Sequence, residues 1–78
     1  MKEPLAIGAR VRFNTLFEQN RRGRGETESM IHRRGIVTAV HPGNPPLPAY
    51  DVKVLAVNQH IPETRLTYVF DDEVWAIA

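Results

Sequence analysis

Five arginines fall within one fourteen-residue window: Arg21, Arg22, Arg24, Arg33 and Arg34. The first three flank Gly23 and Gly25, and the last two lie on the apolar-alternating segment that follows. A guanidinium offers a rigid fork of donors that matches phosphate or carboxylate oxygens, and glycines let a segment follow a charged backbone. These residues therefore suit the gripping of nucleic-acid phosphates or of an acidic protein. A second account stays open. Glu18, Glu26 and Glu28 offset much of the loop charge, and Asp71, Asp72 and Glu73 can pair with the arginines across the fold. Arg10 and Arg12, on one strand face with Asn14, either extend a basic stripe or form a solvated face.

Little else suits catalysis. His32, His41 and His60 lack the close spacing of a metal motif, and with no cysteine there is neither a disulfide nor a thiolate zinc site. Ser29 is the only serine, and no histidine and acid near it in sequence make a triad. Asp71, Asp72 and Glu73 suit Mg²⁺ or acid–base work, but a helical turn entering the last strand explains them more simply. No cofactor, metal site or enzymatic activity is expected. Phe13, Tyr50, Tyr68, Phe70 and Trp75 could stack bases, yet so small a chain needs most aromatics for its core. Phe13, Phe70 and one of Tyr50 or Tyr68 are assigned there, and Trp75 stays ambiguous. Pro45-Pro46-Leu47-Pro48 reads as a stiff connection or as a polyproline ligand.

The elements that must position these groups are short. Residues 9–17 begin with strict alternation: Ala9, Val11 and Phe13 one way, Arg10, Arg12 and Asn14 the other. Residues 18–29 contain no apolar side chain and two glycines, which predicts a mobile loop. Residues 30–41, 50–57, 64–70 and 74–78 read as four more strands, with Gly35 marking a bend in the second and one helical turn at 71–73. In the fourth, Leu66, Tyr68 and Phe70 share the presumed core face. Leu55, Val57 and Val69 then fall outside and form the predicted self-association patch, giving a homodimer or larger species.

With 78 residues the chain is expected to form one domain, 1–78. Net charge is +1, but residues 1–40 hold eight Lys/Arg against four Asp/Glu, and residues 41–78 hold two against five. A basic and an acidic face is one way to arrange that asymmetry. No apolar run suits a signal peptide or a membrane span, so a cytoplasmic protein without membrane partners is expected.

The order strand, long loop, strand, loop, strand, turn, strand, helical turn, strand resembles the SH3-like barrel. The phrases Ile7-Gly8-Ala9-Arg10-Val11-Arg12-Phe13, Gly35-Ile36-Val37-Thr38-Ala39-Val40 and Tyr50-Asp51-Val52-Lys53-Val54 carry the resemblance, over about residues 7–77. Similar phrasing occurs in KOW and Tudor-like modules and in the small bacterial hemimethylated-DNA-binding family. The resemblance implies an all-β, five-stranded SH3-like barrel with a long charged loop between strands 1 and 2. Plasmid-borne type II dihydrofolate reductases are also tiny barrels of this kind, with a Val-Gln-Ile-Tyr segment in a late strand. The counterpart here, Leu66-Thr67-Tyr68-Val69, lacks the glutamine, so that activity is not carried over. The single Trp sits in the last strand, unlike the peptide-binding aromatics of eukaryotic SH3 domains. Function is therefore expected to be a small non-catalytic binding module contacting nucleic-acid phosphates through the Arg-rich loop. The alternatives are a protein-interaction or self-associating module and a small oligomeric enzyme with a shared pore.

Overall fold

A computed structural model describes residues 3–22, 30–41 and 48–77. The chain is mostly β, with strands β1 (Arg10–Phe13), β2 (Arg34–His41), β3 (Ala49–Val54), β4 (Thr64–Phe70) and β5 (Val74–Ala76). Among the described residues one helix, α1 (Thr15–Arg22), follows β1, and a 3-10 turn at Asp71–Glu73 precedes β5. The strands form one antiparallel sheet in the order β4-β3-β2-β1-β5. The sheet is open, with β4 and β5 at its edges.

Helix α1 corrects the expected loop. Residues 18–22 are its last five residues, while 23–29, the remainder of the loop assignment, lie outside the described residues. Asn14 starts the helix. Its Oδ1 accepts hydrogen bonds from the backbone N–H groups of Leu16 (3.0 Å) and Phe17 (3.2 Å), as a cap does for the orphan donors of a first turn. Its Nδ2 donates to the Asp72 carbonyl at 2.8 Å, tying the helix to the 3-10 turn. Phe17 then drops into the core against Phe13, ring centroids 4.7 Å apart.

The core is the inward face of the sheet: Val11 and Phe13 of β1, Val37 of β2, Tyr50, Val52 and Val54 of β3, with Val69 and Val74. Two bulges bend the sheet. One lies on β2 between Val37 and Ala39. The other lies on β4, where Tyr50 pairs with Val69 but Val52 pairs with Leu66, so β4 carries one extra residue. Tyr68 absorbs it with φ of 54°, a left-handed conformation uncommon for a residue with a Cβ. The extra residue inverts the alternation. Val69 points into the core at 0% exposure, and Tyr68 (60%) and Phe70 (41%) point out. The assignment of Val69 to an outer patch and of Phe70 to the core is thereby corrected. Of the two tyrosines, Tyr50 is the one in the core.

Gly35 sits inside β2 where β3 approaches closely. A Cβ there would lie 2.4 Å from Val52 Cγ1 and 3.2 Å from the Lys53 carbonyl, so only a glycine fits without displacement.

Candidate functional site

The outward residues of each strand are set by the same alternation that buries the core. Register then aligns them in rows. In one row, Trp75 of β5 stands opposite Arg12 of β1, which stands opposite Arg34 of β2. All three are exposed. The Arg12 guanidinium carbon lies 5.3 Å from the centre of the Trp75 ring, within reach of a cation–π attraction. In the next row, Arg10 pairs with Ile36, Ile36 with Lys53, and Lys53 with Arg65. Five cations from four strands thus share one face: Arg10, Arg12, Arg34, Lys53 and Arg65.

Two of these pairs set like charges directly opposite each other, Arg12 against Arg34 and Lys53 against Arg65. Such pairs are destabilising on an antiparallel sheet. Glu63 offsets part of the second, with its carboxylate 3.3 Å from Lys53 Nζ. Asp51, farther along β3, is hydrogen-bonded to His41 at 2.9 Å, and His41 in turn stacks on Tyr68 with centroids 4.5 Å apart. Beside the first row lies a cleft of about 140 Å³ lined by Arg12, Ile31, His32, Arg33 and Arg34.

Of the arginines expected to act together, the described ones take different roles. Arg34 belongs to this face. Arg33, its neighbour, is buried at 5% exposure. Its Nη2 donates to the carbonyls of Leu55 (2.8 Å) and Pro62 (3.0 Å), and its Nε to Leu55 at 3.2 Å. Arg33 thus clamps the end of β3 to the segment before β4. Arg21 lies on α1 with its guanidinium 5.0 Å from the Phe17 ring centre. Arg22 ends α1, and Arg24 lies outside the described residues. Of the self-association residues, Val57 is 58% exposed in the turn that bonds back to Ile61, Leu55 is half-buried beside β2, and Val69 is in the core.

The acidic triplet works mainly inside the fold. Glu73 is 3% exposed and accepts from the Phe70 N–H (2.8 Å) and from Asn20 Nδ2 (2.9 Å). Asp71 accepts from the Tyr50 hydroxyl, which itself accepts from the Leu5 N–H at 3.0 Å. Burial, and then the hydrogen bond to Asp71, push the Tyr50 phenol up to about 12. Among the described residues no three His, Cys, Asp or Glu side chains come together as a metal site, and no helix is long and apolar enough to cross a membrane.

Lys53, Arg65 and the Arg12–Trp75 contact were not singled out from the sequence. Each cation does stand out of phase with the apolar residues of its strand, which was the available signal, but only the register aligns them. Comparison with protein-family models, curated proteins and solved structures returns no match.

Proposed function

We propose that this chain is a small, non-catalytic binding module that contacts nucleic-acid phosphates through the outer face of the sheet. The observation that carries this reading is the pair of opposed like charges, Arg12 with Arg34 and Lys53 with Arg65, on a face with few acids. Each pair costs stability in the free protein, and a polyanion laid across the face relieves both. An SH3-like topology belongs to the same proposal. It is supported by β1 lying between β2 and β5 and by the 3-10 turn that enters the last strand.

Fluorescence anisotropy with labelled oligonucleotides, titrated at several salt concentrations, tests the reading. Binding at low salt should weaken steeply as salt rises, because each phosphate contact releases counterions. Absence of binding at the lowest salt would overturn it.

A second reading, self-association or protein interaction, has its own support in the exposed apolar turn holding Val57 (58%) and Ile61 (38%). Sedimentation over a wide concentration range separates the two. A salt-insensitive dimer favours the second, and a monomer that binds oligonucleotides favours the first.

A further inference from the structure

Trp75 is the only tryptophan of the chain, and it is 55% exposed. A ring of that size is ordinarily drawn into the core of a small domain, where its apolar area contributes most. Here the alternation of β5 sends Val74 inward and leaves the indole on the sheet surface. It stands at the end of the row that continues through Arg12 and Arg34 to the cleft containing His32. An aromatic surface therefore sits one strand away from a run of phosphate-matching donors.

We infer that the nucleic acid taken by this face is single-stranded, with a base stacked on Trp75 and the adjoining phosphates held by Arg12 and Arg34. The inference rests on the phosphate-binding reading above and narrows it. In a duplex the base faces are stacked on one another and the edges lie in grooves, which a helix or a two-stranded ribbon enters. The face described here is neither. Its aromatic group is half-exposed on the strand surface with the Arg12 guanidinium over its ring, and an unpaired base stacks on the part of the indole that stays open. Base–aromatic stacking is tolerant of sequence, because every base has such a face. The row thus predicts binding with little base preference.

The single tryptophan makes the test direct. Unlabelled single strands of about ten nucleotides, a length within the usual site sizes of such surfaces, are titrated against intrinsic fluorescence, beside duplexes of the same sequence. The single strand should quench Trp75, and should bind on the order of tenfold more tightly than the duplex at equal salt. Trp75→Ala should weaken single-strand binding by about tenfold, the scale of one lost stacking contact. The salt slope and the duplex affinity should not change. Trp75→Phe should keep most of the affinity, and circular dichroism checks that both variants stay folded. Equal binding of single strand and duplex, or a Trp75→Ala variant that binds as wild type does, overturns the stacking inference and leaves the phosphate reading standing. No binding of either form at low salt overturns both.

Discussion

At the scale of single residues, the chain uses several of its polar groups as internal fasteners. Arg33 is the plainest case. Replacing it with Ala leaves the carbonyls of Leu55 and Pro62 without their charged donor. The expected loss is about 2–4 kcal/mol, read as a lower midpoint in denaturant unfolding. Arg33→Lys should recover little of this, since an ammonium cannot reproduce the fork. Tyr50 gives a pH signature. Its folded-state value of about 12 stands above the ordinary value of 10, so the folded protein holds that proton more tightly than the unfolded chain. The resulting stability is complete below about pH 10 and is lost as pH rises through 12. Tyr50→Phe should lower stability near neutrality, through the lost bonds to Asp71 and Leu5, and should flatten the alkaline fall. Thermal melts from pH 8 upward would show both effects, and an unchanged alkaline slope in the variant would count against the assignment.

At the scale of elements, five strands were legible in the alternation of the sequence, and the turn at 71–73 in its three consecutive acids. What was not legible depended on one residue in each case. The helix after β1 is only eight residues long and begins at a capping Asn that also fits the strand's alternation, so period alone could not separate the two. The core face of β4 was misread because the bulge at Tyr68 adds one residue, and a single insertion exchanges the two faces of a strand. Arg33 and Arg34 were adjacent in sequence but not in role. Arg33 turns into the fold at 5% exposure, while Arg34 takes the opposite side of the alternation. Packing between elements yields its own expectation. Gly35→Ala should destabilise by about 1–3 kcal/mol, the usual cost of overfilling a core. The cost should shrink in a Val52→Ala background, because the obstructing Cγ1 is then gone. A cost that does not change with Val52 would mean that the carbonyl of Lys53 sets the limit.

At the scale of the whole molecule, the basic and acidic halves of the sequence do not become two faces among the described residues. Lys53 and Arg65, from the acidic half, join Arg10, Arg12 and Arg34 on one side of the sheet. Asp71 and Glu73 are withdrawn into hydrogen bonds at its end. A net charge near neutrality therefore hides a concentrated basic face, and binding should depend on that face rather than on total charge. The measurement that bears on this most directly compares two triple variants by anisotropy across a salt series. One carries Arg10→Ala, Arg12→Ala and Arg34→Ala, and the other Arg21→Ala, Arg22→Ala and Arg24→Ala. Both remove the same charge. The sheet-face variant should lose about one unit of log–log salt slope for each phosphate contact removed, and the other should keep a slope close to wild type. Equal losses in the two variants, or a loss confined to the Arg21, Arg22 and Arg24 variant, would contradict a binding site on the sheet.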